Sequence, residues 1–271
     1  MKSPLFFAAP LLFTVCAGLS AAQSSTAQYV VTFDVHWDNA THAGAFPPNA
    51  HFSPLVGAVH NESVAFWEPG GIATNGIEIM AETGATNTLR GEVNNAIAAG
   101  TALEVVTGPG TGAPDQVTTT FEANSDMHLL TLVTMIAPSP DWFVGTHGLN
   151  LRDDSGWIDE ITIELDAYDA GTDSGPDFTS RNADVTPHEP ITNISGQPPF
   201  AGVPSLGSFT ITLLSETCLA DVNNDGSATP TDFSAWVNAF NNNLPECDQN
   251  ADGACTPTDF SAWITNYNAG C

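Results

Sequence analysis

Residues 29–37 of the chain read Tyr-Val-Val-Thr-Phe-Asp-Val-His-Trp. Every second residue, from Tyr29 to Trp37, is large and apolar, and the residues between them are smaller or polar. Side chains of a strand point alternately to its two faces, so this pattern predicts a strand with one buried face. The same alternation recurs in residues 161–165 and 209–213.

Further short apolar segments at residues 103–105, 117–121 and 129–136 are also predicted strands. Glycine and proline turns separate them, for example at Gly108-Pro-Gly and at Ala137-Pro-Ser-Pro. Many short strands joined by such turns are typical of an antiparallel β-sandwich. The sequence therefore predicts a mainly β body.

A short helical insertion interrupts the predicted strands. Leu89, Val93 and Ile97 lie one helical turn apart on one face, and Gly100 follows as a stop signal. Asn75, with Glu78 three residues later, resembles a capping pair at the start of a short helix that precedes this one.

The first residues predict export. A charged start at Lys2 precedes an apolar run over residues 5–19 and the small residues Ser20-Ala-Ala22. This order is typical of a secretory signal peptide, and we expect cleavage after Ala22. The alternative is a membrane anchor, but the run is short and contains Pro10. No other stretch is predicted to cross a membrane.

The charge of the chain excludes some partners. The formal net charge is −27, and once Lys2 is removed the cations are Arg90, Arg152 and Arg181. Three cations cannot neutralise a row of phosphates. We therefore expect neither nucleic acid nor an anionic membrane surface as a partner.

Two segments near the C-terminus repeat one loop pattern. Residues 221–232 read Asp-Val-Asn-Asn-Asp-Gly-Ser-Ala-Thr-Pro-Thr-Asp, and residues 248–259 read Asp-Gln-Asn-Ala-Asp-Gly-Ala-Cys-Thr-Pro-Thr-Asp. Oxygen-bearing side chains stand at positions 1, 3, 5 and 12, and glycine stands at position 6. Calcium takes about six to eight oxygen ligands, and the glycine permits the sharp turn of the loop. Each segment therefore predicts a calcium site.

A helix is predicted directly after each loop. Thr229 and Thr256 can cap these helices, and each is followed by a proline suited to the first turn. Each helix carries one aromatic-rich stripe, and we expect the two stripes to pack together, with contact with a partner as the alternative. The stripe residues are Phe233, Trp236, Val237 and Phe240, and Phe260, Trp263, Ile264 and Tyr267.

Four cysteines follow the predicted cleavage site, and all lie near the C-terminus. In an exported small module such cysteines predict disulfides, and four allow three pairings. We favour Cys218 with Cys271, which joins the two ends of the module, and Cys247 with Cys255 across the second loop. Free thiols or a metal site are the alternatives.

No helix is predicted before the first loop, so the unit is a repeated loop–helix pair, which resembles a dockerin type I domain. The closing Ala269-Gly-Cys271 makes it similar to the cysteine-ended dockerin-like modules of certain environmental bacteria. The resemblance implies a cohesin-like partner or another envelope or secreted protein, although positions 10 and 11 hold Pro-Thr instead of the usual Ser/Thr pair. It implies calcium ligands at Asp221, Asn223, Asp225 and Asp232, with the carbonyl of Ser227, and at Asp248, Asn250, Asp252 and Asp259, with the carbonyl of Ala254.

Several strings in the body resemble the spondin N-terminal domain. The most specific are Met135-Ile-Ala-Pro-Ser-Pro-Asp-Trp-Phe-Val-Gly145 and Asp169-Ala-Gly-Thr-Asp-Ser-Gly175. The resemblance implies a β-sandwich that binds one calcium ion through Asp141, Asp169 and Asp173, which gives three calcium ions in the whole chain. The alternative is that Asp141 caps a turn and the other two carboxylates are solvated. In animals the family supports adhesion in extracellular-matrix and cell-recognition proteins.

Signs of catalysis are weak. His36, His42, His51 and His60 cluster in sequence, but we expect such residues to anchor loops through hydrogen bonds. No Ser-His-Asp triad can be assembled from the pattern. No catalytic residue is therefore predicted.

Together these patterns predict a signal peptide at 1–22, a spondin-like β-sandwich at 23–215 and a dockerin-like module at 218–271. The expected function is a secreted, calcium-binding and non-enzymatic protein that recognises a surface or matrix ligand and is held in place by the module. The alternative is a polysaccharide-degrading enzyme or accessory subunit recruited by that module. A structural envelope component without a discrete ligand is a third possibility.

Overall fold

The computed structural model describes residues 25–42, 45–153, 156–250 and 252–269. The expected signal peptide and Cys271 lie outside these residues. Within them, no helix is both long and apolar enough to cross a membrane.

The described residues are mainly antiparallel strand with a few helices. The strands are β1 Thr26–Val35, β2 His51–Phe52, β3 Val56–His60, β4 Ala102–Thr107, β5 Thr111–Gly112, β6 Asp115–Asn124, β7 Leu129–Ala137, β8 Trp142–Asn150, β9 Arg152–Asp153, β10 Gly156–Trp157, β11 Glu160–Glu164, β12 Ala167–Asp169, β13 Thr192–Asn193 and β14 Gly207–Thr217. The helices are α1 Asn75–Thr83, α2 Asn87–Ala98, α3 Pro230–Asn242 and α4 Thr258–Ala269, with a 3-10 helix at Pro245–Cys247.

The first sheet has the strand order β11-β14-β1-β6. Along β1 the alternating residues from Ala27 to Val35 are buried, as the sequence predicts. Phe33 lies opposite Phe209 of β14 on one side and Val117 of β6 on the other. These residues contribute one face of the sheet to a large apolar cluster.

The second sheet has the order β13-β12-β8-β7-β2-β5, and β3 joins both β7 and β4. Residues of its strands β7 and β8, such as Leu132 and Val144, belong to the same apolar cluster as β1. Two antiparallel sheets that share one apolar layer are consistent with a β-sandwich.

Strand β7 is buried on both faces from Leu130 to Ala137. Its other face, with Val133 and Met135, packs in a second apolar cluster with helices α1 and α2. Because both faces are covered, the strand is a continuous apolar run and does not alternate.

The helical insertion forms as expected, with one difference at its start. Leu89 and Val93 of α2 are buried against the sheet. The cap of α1 is Thr74 and not Asn75, because the Thr74 hydroxyl accepts the N–H of Ile77 at 3.2 Å. Glu92 of α2 fixes this start, since its carboxylate accepts the N–H of Gly76 at 2.7 Å and the Thr74 hydroxyl at 2.7 Å.

In the C-terminal segment the two aromatic stripes pack on each other. The rings of Phe233 and Trp263 are 5.4 Å apart, and those of Trp236 and Phe260 are 5.6 Å apart. Both tryptophans are buried, whereas both phenylalanines remain partly exposed. Thr229 caps α3, as the sequence predicts, and the Asp232 carboxylate in turn accepts the N–H of Thr229 at 2.8 Å.

Gly57 in β3 lies close to the backbone of β7 in the second sheet. A Cβ at Gly57 would overlap the backbone oxygen of Thr131 in β7. We predict that Gly57→Ala lowers the free energy of unfolding by roughly 2–4 kcal/mol, because the backbone must shift. Gly91→Ala is the control, since its Cβ would meet nothing within 4 Å on α2, and it should stabilise the protein by up to about 1 kcal/mol. Equal effects of the two variants in denaturant unfolding would contradict the described strand pairing.

Candidate metal sites

Asp141 lies in the turn before β8 and has no exposed surface. Its Oδ2 accepts the backbone N–H of Thr172 at 2.8 Å and that of Asp173 at 3.0 Å. Its Oδ1 is buried and has no hydrogen-bond partner among the described residues. Buried carboxylate oxygens are normally satisfied, so this atom lacks a donor or a cation.

The turn from Asp169 to Gly175 brings two more carboxylates to this place. Asp169 accepts the N–H of Gly171 at 2.8 Å and the indole N–H of Trp142 at 3.2 Å. Asp173 is buried and accepts the N–H groups of Gly175 at 2.7 Å and Ala183 at 2.8 Å. Of the three aspartates that the sequence singles out, Asp141 contacts the backbone of Asp173, and Asp169 is near enough for its charge to act on Asp141.

A glycine makes this turn possible. Gly171 has a φ of 75°, and a Cβ there would overlap the carbonyl oxygen of Glu189. An L side chain at this position would be strained and would also clash. The turn is thus held close to the loop that ends at Glu189.

The electrostatics of these aspartates are unfavourable without a cation. Burial, together with the nearby charge of Asp169, raises the pKa of Asp141 to about 6. Burial also raises the pKa of Asp169, with smaller effects from Glu189 and Asp173. Among the described residues, no ion pair neutralises any of the three. Their oxygens are the ligand type that calcium prefers.

The two C-terminal loops fold alike. Asp221 accepts N–H groups from Asp225 at 3.1 Å and from Gly226 at 2.8 Å, while Asn223 accepts the N–H of Asp225 at 2.9 Å. At the end of the loop, Asp232 is fully buried and accepts the N–H of Asn223 at 3.1 Å. The Asp232 side chain thereby links position 3 of the loop to the first turn of α3.

The second loop repeats these bonds at equivalent positions. Asp248 accepts N–H groups from Asp252 at 3.1 Å and from Gly253 at 2.9 Å, while Asn250 accepts the N–H of Asp252 at 3.0 Å. Asp259 is fully buried and accepts the N–H of Asn250, the equivalent of Asn223, at 3.3 Å, and also that of Gln249 at 3.0 Å. Gly226 and Gly253 have φ values of 91° and 83°, as position 6 of such a loop requires. Ser227 and Ala254 directly follow these glycines, and both are exposed.

The Spondin_N family model matches residues 27–203, which hold most strands of the two sheets and also Asp141, Asp169 and Asp173. The chain belongs to the spondin N-terminal family. The match ends before the C-terminal module, so the two duplicated loops lie outside the spondin domain.

The spondin domain is similar to part of several animal proteins. Spondin-2 of Homo sapiens is 35% identical over 184 residues, which cover 64% of this chain and 54% of spondin-2. Spondin-1 of Gallus gallus is 31% identical over 182 residues, which cover 64% of this chain and 22% of spondin-1. Spondin-1 of Rattus norvegicus is 32% identical over 205 residues, or 71% of this chain and 25% of that protein. The match therefore spans about half of spondin-2 and a quarter or less of spondin-1.

Beyond the spondin domain, a disulfide joins Cys247 and Cys255, whose Cα atoms are 5.5 Å apart. This confirms the expectation of a disulfide in the module. The bond brackets the first half of the second loop, and the carbonyl of Cys247 accepts the indole N–H of Trp236 at 3.1 Å. Cys218 is also disulfide-bonded. Its expected partner, Cys271, lies outside the described residues, so that pairing stays a prediction.

Histidines of the spondin domain hold loops in place. The His42 ring lies between the indole N–H of Trp37 and the carbonyl of Pro199, at 2.8 Å from each. The His60 ring lies 2.8 Å from the Thr131 hydroxyl, and burial lowers its pKa. The Ser53 hydroxyl accepts the N–H of Met135 at 2.9 Å and lies 3.2 Å from the Thr134 hydroxyl. These contacts are those of loop anchors.

Some neighbours of the aspartate site do not stand out in the sequence. Thr172 and Trp142 donate hydrogen bonds to its carboxylates, yet neither residue type points to a metal site in the sequence. Glu78, Asp184 and His188 also form a group whose ligand atoms lie within 4.8 Å of one another. No spacing pattern links Glu78 to the other two, because only the tertiary fold brings them together.

Proposed function

We propose that this protein is a non-enzymatic, calcium-dependent recognition protein of the cell exterior. Its spondin domain binds a surface or matrix ligand, and its C-terminal module docks the chain to another exported protein. The observation that carries the proposal is the unpartnered Oδ1 of the fully buried Asp141, beside Asp169. Membership of the spondin family supports the adhesive role, and the histidine contacts above favour a non-catalytic one.

Calcium is the cation that suits the aspartate site. Asp141, Asp169 and Asp173 offer oxygen ligands alone, and calcium and magnesium are the common cations that select such a set. Calcium tolerates irregular geometry better than magnesium, which requires a near-octahedral shell. One calcium ion at this site would replace the repulsion between buried carboxylates by attraction.

Two further calcium ions are proposed for the C-terminal loops. Their ligands are the four side chains of each loop with the carbonyl of Ser227 or Ala254. The aspartates at position 12 are already buried at the start of a helix, so an ion there would join the loop to α3 or α4.

The docking role rests on the resemblance to dockerins and on the charge of the chain. A net charge of −27 favours a partner with a basic docking face. At position 11 of each loop, the hydroxyls of Thr231 and Thr258 lie 2.6 Å from the hydroxyls of Thr229 and Thr256. Because these hydroxyls are engaged within the module, we propose a cohesin-like partner whose contacts differ from the usual Ser/Thr recognition.

The function is tested by screening the full chain against panels of glycans and matrix proteins. The assay measures both binding and product release, with calcium and with a chelator. Binding that is lost with the chelator and occurs without turnover supports the proposal. Release of product from a polysaccharide would instead support an enzyme delivered by the module.

The Asp141→Asn variant distinguishes the calcium-free form of the aspartate site from the calcium-bound form. Without calcium, we predict that the variant is more stable than the parent by on the order of 2 kcal/mol, because it removes a buried charge whose pKa is raised to about 6. With calcium, the order reverses, because the variant loses a ligand. Thermal melting with and without calcium measures both effects.

Asp177→Asn is the matched control, since Asp177 is exposed in the next turn and loses the same charge. It should leave both melting temperatures nearly unchanged. An Asp141→Asn protein that still gains as much stability from calcium as the parent would contradict this site.

The disulfide distinguishes the two C-terminal loops. Ala220 and Ala228 stand in the first loop where Cys247 and Cys255 stand in the second. A crosslink over so short a segment restricts the open loop by roughly 2–3 kcal/mol. We predict that Cys247→Ala with Cys255→Ala weakens calcium binding at the second loop about tenfold and leaves the first loop unchanged. Calorimetric titration in a background of Asp141→Asn with Asp221→Ala reports the second loop separately, and unchanged affinity there would refute the prediction.

A further inference from the structure

We propose that the spondin domain carries a second cation site, made by Glu78, Asp184 and His188 and suited to a divalent transition metal such as zinc. One ligand atom of each residue lies within 4.8 Å of those of the others. This site uses none of the aspartates assigned above to calcium, so it does not depend on the proposed function.

The frame around these residues is well fixed. Glu78 lies in the first turn of α1, whose start is held by Thr74 and Glu92. The loop that carries the other two ligands is bound at both ends, through Val185 N–H to the Thr172 carbonyl at 2.8 Å and Glu189 N–H to the Gly171 carbonyl at 2.9 Å. The ligands are therefore held in place before any ion binds, which lowers the cost of binding.

The spacing leaves room for an ion. Nε2 of His188 and Oε1 of Glu78 are 3.9 Å apart, which is too long for a direct hydrogen bond. Ligand atoms around zinc, with bonds of about 2.0–2.2 Å, lie roughly 3–4 Å from one another. A modest contraction of the group would complete such a shell.

The surroundings favour a cation. Glu82, one helical turn after Glu78, has a buried Oε1 without a hydrogen-bond partner among the described residues. Burial raises the pKa of Glu82, and the charges of Glu78, Asp173 and Asp184 raise it further. His188 is the one basic side chain that forms an ion pair with this group in the described part of the chain. The acidic side chains around the group thus outnumber the basic one, which favours a cation there.

The ligand set selects a different metal from the calcium sites. An imidazole with two or three carboxylates suits zinc, cobalt, manganese or iron, whereas calcium and magnesium prefer oxygen alone. Asp173 of the calcium site forms a backbone bridge with Asp184, so the two sites are neighbours. The domain would thus hold two ions of different chemistry next to each other.

The test is a titration of the untagged full chain with cobalt(II) after saturation with calcium. We expect one additional ion per chain, with the visible absorbance of cobalt bound by nitrogen and oxygen, and displacement of cobalt by zinc. His188→Gln should weaken cobalt binding at least tenfold and leave the calcium stoichiometry unchanged.

His128→Gln is the matched control, because His128 also lies beside a carboxylate, that of Glu62 at 3.3 Å. It should bind cobalt as the parent does. The site is refuted if the calcium-saturated parent binds no further ion, or if His188→Gln retains the cobalt spectrum. A loss of calcium in His188→Gln would also overturn it, because the residue would then belong to the calcium site.

Discussion

The buried carboxylate of Asp141 joins the turn before β8 to the turn after β12. One of its oxygens accepts the N–H groups of Thr172 and Asp173, and the other has no hydrogen-bond partner in the described part of the chain. Burial of a carboxylate disfavours its charged form, and a proton or a cation at the second oxygen would relieve this cost. The loop that follows is linked to this requirement, because Thr172 donates its N–H to Asp141 while its carbonyl accepts the N–H of Val185.

The C-terminal loops hold their buried carboxylates through hydrogen bonds: although burial opposes it, bonds from Thr229 and Asn223 lower the pKa of Asp232. Asp232 and Asp259 are buried, and each orders its loop by accepting N–H groups from it. With few cationic side chains in the chain, attraction to metal ions is the available compensation for the net charge of −27. The proposed function rests on this point: we propose that order in both parts of the protein, and hence recognition, depends on cations of the exterior.

Local patterns predicted more of the structure than long-range ones. The alternation at residues 29–37 predicts β1, and the duplicated loops with their Thr-Pro pairs predict α3 and α4, because all of the participating residues are close in sequence. The cap of α1 was placed one residue late, since Glu92 selects Thr74 from a different helix. Burial of both faces of β7 and the group around His188 follow from packing between distant segments, for which one sequence holds no signal.

The central claim is that a calcium ion binds Oδ1 of Asp141. It is tested most directly by anomalous diffraction from crystals of the calcium-loaded protein. We expect a calcium peak about 2.3–2.6 Å from Oδ1 of Asp141, also contacted by Asp169 and Asp173. Peaks in both C-terminal loops would show that the crystal is loaded. Their presence with no peak at Asp141 would contradict the account.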